Sequence, residues 1–188
     1  PDPLLWVAAG MAYADGSKGE LFQSDLSIFN PGTQPASVSL AFVAGATWDG
    51  VSKAEWRTLG LGPGETRAFS NILGTFFSLP KGAWGVVLVR GDSISLPPVI
   101  VGRTYNAADP ESGTFGLSVP AMSVANGVKP QSSAASSFLA GLRHDASFRT
   151  NLTVANLKDE TAEVEVVFRD ALGQVLGVPA RVRVEARG

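Results

Sequence analysis

The chain has 188 residues and a mass of 19.5 kDa, with 45% hydrophobic and 17% charged residues. That composition excludes a disordered chain and a coiled coil. Fifteen basic against seventeen acidic residues leave a net charge of −2, without the basic excess of a nucleic-acid binder. Cys is absent and His144 is the one histidine, so disulfides, thiolate nucleophiles and Cys zinc sites are excluded and His-dependent chemistry has a single residue to work with.

The chain opens on Pro1-Asp2-Pro3, without Met or a basic leader, as a mature end left by signal cleavage or a trimmed end does. No apolar run reaches the roughly eighteen residues of a membrane-spanning helix. Apolar stretches such as residues 86–89 and 97–101 have strand length, and so does Leu4-Leu5-Trp6-Val7-Ala8. The period is two almost everywhere. Ser37-Val38-Ser39-Leu40-Ala41-Phe42, Glu163-Val164-Glu165-Val166-Val167-Phe168 and Arg181-Val182-Arg183-Val184 alternate small or polar with apolar residues, the pattern of strands with one dry and one wet face. Turns such as Asn30-Pro31-Gly32, Asp49-Gly50, Gly62-Pro63-Gly64 and Pro80-Lys81-Gly82 separate these runs. Residues 70–78 depart from the pattern: with Ser70 as N-cap, Ile72, Leu73, Phe76 and Phe77 share one helical face, which predicts a short helix plugging the end of a sandwich. Short strands between frequent turns predict an all-β fold, a sandwich or barrel.

The chain also repeats itself. The segment Ser24-Asp25-Leu26-Ser27-Ile28-Phe29-Asn30 lies over Thr150-Asn151-Leu152-Thr153-Val154-Ala155-Asn156, 126 positions later. At the same offset, residues 36–42 lie over residues 162–168, with Ala36/Ala162, Val38/Val164 and Phe42/Phe168 identical. Upstream, Ala9-Gly10-Met11 matches Ala140-Gly141-Leu142 after a five-residue adjustment. Downstream, Trp56-Arg57-Thr58 falls on Val182-Arg183-Val184 at the original offset. The predicted organisation is one complete β-sandwich over residues 1–122, a small-residue linker over 123–137, and a partial second sandwich over 138–188. The second copy stops where its remaining strands should begin, which leaves Val164, Val166, Phe168, Val182 and Val184 with nothing to pack on. Exposing them forgoes roughly 1.5–3 kcal/mol each. Three arrangements answer this: a natural chain longer than this sequence, a strand supplied by another chain in a head-to-tail assembly, or a flap folded onto the first copy.

The stretches QSDLSIFNPG (23–32), ASVSLAF (36–42), LGPGETR (61–67), IVGRTYN (100–106), GTFGLSVPA (113–121) and LAGLRHDASFRTNLTVAN (139–156) make the chain resemble a group of poorly characterised secreted bacterial proteins. These are built from tandem immunoglobulin-like β-sandwiches. The resemblance implies an exported surface or matrix module and brings no catalytic residues with it. The missing second half of copy two departs from that pattern.

The remaining motifs read as structure. Gly60-Leu61-Gly62-Pro63-Gly64-Glu65 lacks the Lys-Ser/Thr of a phosphate loop and sits between strands. Arg143-His144-Asp145 reads as a surface turn, not part of a Ser-His-Asp site. The loops Asp15-Gly16-Ser17-Lys18-Gly19-Glu20 and Asp109-Pro110-Glu111 each offer only two carboxylates, short of a calcium site. Asn151-Leu152-Thr153 fits the N-glycosylation triplet, with a chance match in a polar strand favoured over a modified site. Arg103-Thr104-Tyr105-Asn106 reads as a strand end with the tyrosine hydroxyl bonded to backbone. Trp6, Trp48, Trp56 and Trp84 read as core or interface anchors ahead of a sugar platform.

The expectation is therefore a non-enzymatic extracellular or cell-surface protein without cofactor or metal. It would serve as a β-sandwich building block of a surface filament or matrix, assembling with copies of itself or with a longer parent chain. The expected assembly strand is Leu4, Leu5, Trp6, Val7 and Ala8, entering a groove of Val164, Val166, Phe168, Val182 and Val184 on a neighbour. The alternative is an adhesin-like or carbohydrate-binding module that uses its loops or exposed tryptophans.

Overall fold

The structure is a computed structural model and describes residues 4–45, 55–108, 115–127, 137–143, 145, 150–158 and 160–185. Alternating sequence becomes antiparallel strands, as expected of half-buried ribbons. In chain order they are β1 (Leu5–Asp15), β2 (Leu21–Phe29), β3 (Ala36–Ala44), β4 (Arg57–Leu61), β5 (Thr66–Phe69), then helix α1 (Ile72–Thr75). After it come β6 (Ala83–Ser93), β7 (Val99–Asn106), β8 (Gly116–Pro120), β9 (Met122–Ser123), a 3-10 turn (Val124–Asn126), β10 (Ala162–Val166) and β11 (Ala180–Val184).

The first nine strands form one hydrogen-bonded path, β4-β3-β6-β1-β2-β7-β8, with β5 on β2 and β9 on β1. Its two limbs, β4-β3-β6-β1 and β5-β2-β7-β8, enclose the core, and β1 joins them. The junction is a bulge. The register between β1 and β6 shifts between Ala8 and Met11, where Gly10 takes a left-handed φ of 69°. A bulge bends its strand and increases its twist. Before it, the outer edge of β1 takes β9 through Trp6↔Ser123 and Val7↔Met122. Beyond it, the same edge takes β2 through Tyr13↔Gln23.

Burial follows the alternation. Ser24, Leu26 and Ile28 of β2 face inward, with Val38 and Leu40 of β3, Val87 and Val89 of β6, and Met11 of β1. The two limbs meet closely where Met11 reaches β7: a Cβ on Gly102 would lie 2.4 Å from the Met11 methyl, so a side chain there would displace a core residue.

Helix α1 is a single turn. Its N-cap is Asn71, not the expected Ser70: the Asn71 side chain accepts from the Gly74 N–H at 3.3 Å, and its own N–H donates to the Asp25 carboxylate at 2.9 Å. Ile72, Leu73 and Phe77 are buried, so the segment seals the core as the apolar spacing predicts. Phe76 stacks between Phe69 and Phe77 at 4.9 and 5.0 Å. Arg57 then locks the turn from outside by donating to the carbonyls of Phe76 and Phe77. β10 and β11 form a separate two-stranded ribbon.

Candidate functional site

The second ribbon repeats the wiring of the first unit bond for bond. Asn30 Nδ2 donates to Gln34 O and Gly62 O, both at 2.9 Å, and its Oδ1 accepts from Gly32 N at 2.9 Å. Asn156 Nδ2 donates to Glu160 O at 2.8 Å and Glu185 O at 3.0 Å, and its Oδ1 accepts from Lys158 N at 3.1 Å. Each asparagine thus ties the turn after one strand to the end of a strand much later in the chain. An amide suits this because it offers two donors and an acceptor together.

A second clamp lies upstream. The Ser24 hydroxyl accepts from Ala12 N at 2.7 Å, and the Thr150 hydroxyl accepts from Arg143 N at 3.0 Å. Two residues before each of these amides stands a left-handed glycine, Gly10 at φ 69° and Gly141 at φ 76°. The five-residue adjustment read from the sequence is therefore matched by equivalent hydrogen bonds.

The hairpin register corrects the downstream alignment. Ala36 pairs with Leu61 and Val38 with Leu59, whereas Ala162 pairs with Val184 and Val164 with Val182. Val182 and Val184 are thus the counterparts of Leu59 and Leu61, not of Trp56 and Thr58. The connection between the strands is three residues shorter in the second ribbon, a deletion the alternating pattern conceals.

The two units differ in burial. Leu26 is fully buried and Leu152 is 49% exposed; Phe42 is 6% and Phe168 49%; Leu59 is 9% and Val182 46%. Met11 and Ile28 are fully buried, while their counterparts Leu142 and Val154 are open. Of the expected groove residues, Val164 and Val166 are half-buried, Phe168 and Val182 are exposed, and Val184 is buried beneath the Asn156 clamp. Leu142, Leu152 and Val154 belong to the same set. The repeat offsets applied to the core of the first unit would have found them. Leu142, Leu152, Val154, Phe168 and Val182 are exposed among the described residues. The opposite face of the ribbon is charged: Arg181 pairs with Glu165 at 3.1 Å and Arg183 with Glu185 at 3.0 Å. These exposed pairs contribute little to stability and mark which face meets water.

In the first unit the corresponding dry face is covered by the other limb and by α1, Phe77 lying 6.2 Å from Phe42, and the free edge of β3 is filled by β6. That strand lies between β3 and β1, with Leu40↔Val89 and Phe42↔Val87 on one side and Trp6↔Val89 and Ala8↔Val87 on the other. Among the described residues β10 pairs with β11 alone, so its other edge has no such neighbour. The expected assembly strand is in use. Leu5, Trp6, Val7 and Ala8 pair with β6, Trp6 and Val7 also pair with β9, and Trp6 and Ala8 are buried in the core of the first unit. Donating this segment would open that core.

The other sequence candidates have structural partners. Glu65 closes the Gly62–Glu65 turn by accepting from Gly62 N at 2.6 Å and from Arg67 at 2.8 Å. Together these hold its carboxyl below the usual range. Asp15 pairs with Lys81 at 3.0 Å and Glu20 accepts from Lys18 N at 2.8 Å. The Tyr105 hydroxyl meets side chains, not the expected backbone: it accepts from Gln23 Nε2 at 2.5 Å and lies 3.4 Å from the Asp25 carboxylate. A shallow depression of about 360 Å³ beside it is lined by Asp25, Ser27, Arg103 and Ser118. Asp25 already bonds the start of α1 there.

Trp56 and Trp84 are partly exposed. Arg90 stacks on Trp56 at 4.6 Å, and the Trp84 ring lies against Gly45. Residues 84 and 90 point to one side of β6 but are about 20 Å apart at strand rise, too far to stack on one sugar ring together. Trp48, His144 and the Asp109-Pro110-Glu111 loop lie outside the described residues.

Among the described residues no helix is long and apolar enough to cross a membrane. No protein-family model and no curated protein matches the chain. A solved structure, that of Thermotoga maritima 1070, is similar over 64% of this chain and 94% of its own length, at 14% identity and a TM-score of 0.48.

Proposed function

We propose that the chain is an extracellular structural protein, an immunoglobulin-like β-sandwich building block of a surface filament or matrix that assembles through the open face of its second unit. One observation carries this reading. The clamps that organise the first unit recur in the second, while Leu142, Leu152, Val154, Phe168 and Val182 are left exposed. Exposed large apolar residues gathered on one unit mark an interaction site, and a contact of that unit with a different surface of a neighbour generates open polymers.

Light scattering over a range of concentrations, with negative-stain microscopy of the same fractions, tests it. The expected result is species larger than 19.5 kDa that disappear when Phe168 and Val182 are both replaced by Asp, while the unfolding transition of the first unit stays where it was. A 19.5 kDa monomer at every concentration overturns the reading.

A further inference from the structure

The first unit contains its own answer to what fills such an edge: β6 pairs along β3 and adds Val87 and Val89 to the same core. We infer that the second unit is an acceptor for one added β-strand of the β6 pattern, entering antiparallel to β10 along its unpaired edge. The inference deepens the assembly reading, starting from the same open unit, and specifies what that unit takes: an extended polypeptide segment from outside residues 4–185.

The register follows from the repeat. In the first unit Val38 faces Gly91, Ser39 faces Arg90, Leu40 faces Val89 and Phe42 faces Val87. Moved by 126 positions, the incoming strand places a glycine or small residue at Val164, a basic residue at Glu165, and β-branched apolar residues at Val166 and Phe168. The basic position is a charge match that the first unit lacks, since Arg90 there faces a serine, and cross-strand pairs of opposite charge favour one register. On its other side β6 meets Ala8 and Met11 through Val87 and Gly85. Their counterparts are Leu139 and Leu142, both exposed, and Gly141 between them carries the same left-handed bulge conformation as Gly10. The added strand therefore has a defined neighbour at each edge. Main-chain hydrogen bonds to β10 supply affinity, and the alternate apolar positions supply specificity. A flat apolar patch would lack that directional requirement.

The probe is a synthetic peptide with the sequence of β6 itself, Ala83–Ser93, against a scrambled peptide of the same composition. Both are added to the 188-residue chain, and amide exchange and scattering mass are followed. With the β6 peptide, exchange at the amides of β10 should slow by about tenfold or more, and any self-association should give way to a single chain with one peptide bound. Val166→Asp should abolish the protection. Leu172→Asp should leave it intact, because Leu172 is an exposed apolar residue in the turn beyond the ribbon and responds only to general stickiness.

Equal protection by the scrambled peptide, or none from either peptide, overturns the inference. So does an association that persists in excess peptide, since the face is then filled by the second unit of another copy. A chain that never self-associates but binds the β6 peptide in this register refutes the assembly reading and leaves the strand-acceptor inference standing.

Discussion

Leu26 and Leu152 occupy the same place in the same wiring, yet one is sealed in a core and the other half in solvent. The hydroxyl clamps and asparagine clamps around them agree closely in geometry. Such bonds need only the ribbons they join, so they form wherever the sequence motif occurs. Burial needs the strands and helix that follow, β6 beside β3 and β1, and α1 and β7 across the core, and the described part of the second unit has no elements in those roles. The comparison separates two contributions that a complete domain presents together: local hydrogen bonding sets the shape of a ribbon, and non-local elements turn that shape into a core.

Truncating the two leucines gives the largest contrast. Leu26→Ala removes a fully buried side chain and should lower the stability of the first unit by about 2–5 kcal/mol. Leu152→Ala should change stability by about 0.5 kcal/mol or less while the face remains open. Urea unfolding of both variants, read on the transition of the first unit and on amide exchange of β10, checks this. An equal loss in the two variants would mean that the second unit is already packed in solution.

The asparagine clamps should give a smaller contrast. Asn30→Ala removes a buried amide and strands the Gly32 N–H where no water reaches it, a cost of about 1–3 kcal/mol. Asn156→Ala removes the corresponding bonds from a two-stranded ribbon that is not part of the first unit's sheet. It should leave the first transition in place and speed amide exchange in β10 and β11. A shift of the first transition by Asn156→Ala would show that the two units unfold together.

Much of this was legible in the sequence, because clamps and strands are written locally. The period of two marked the ribbons, and the repeats of Asn30 and of Gly10 marked the clamps. The register of β11 was not legible. Val182-Arg183-Val184 alternates in the same way whether it lies over Trp56-Arg57-Thr58 or three residues further on, and only the pairing Ala162↔Val184 decides. The role of Leu4-Leu5-Trp6-Val7-Ala8 was hidden for a related reason. Alternation and apolarity say that a strand has a dry face but not whose core it faces. In this fold Trp6 and Ala8 serve the core of their own unit, because the Gly10 bulge lets one strand pair with β9, β6 and β2. Of the expected groove residues Phe168 and Val182 are exposed and Val184 is buried, a difference that alternation alone does not carry.

The smallest effect sharpens the comparison through acid. The first clamp has a brace: Glu65 accepts from Gly62 N beside the Asn30 amide and also holds Arg67. The hydrogen bond from Gly62 and the charge of Arg67 hold the Glu65 carboxyl below its ordinary value of 4.5. A group whose pKa is lower folded than unfolded binds protons more readily in the unfolded chain, so it stabilises the fold above its unfolded pKa. That contribution is lost as pH falls from 4.5 through the lower folded value. Because the group is open to solvent, the effect is a modest steepening of the acid limb. Glu65→Gln keeps an acceptor for Gly62 N and removes the titration. The urea midpoint of the first unit in this variant should therefore fall less between neutral and acid pH than that of the unaltered chain. Superimposable acid limbs would show that Glu65 braces the turn equally well when protonated, and that the Asn30 clamp alone sets the stability of that corner.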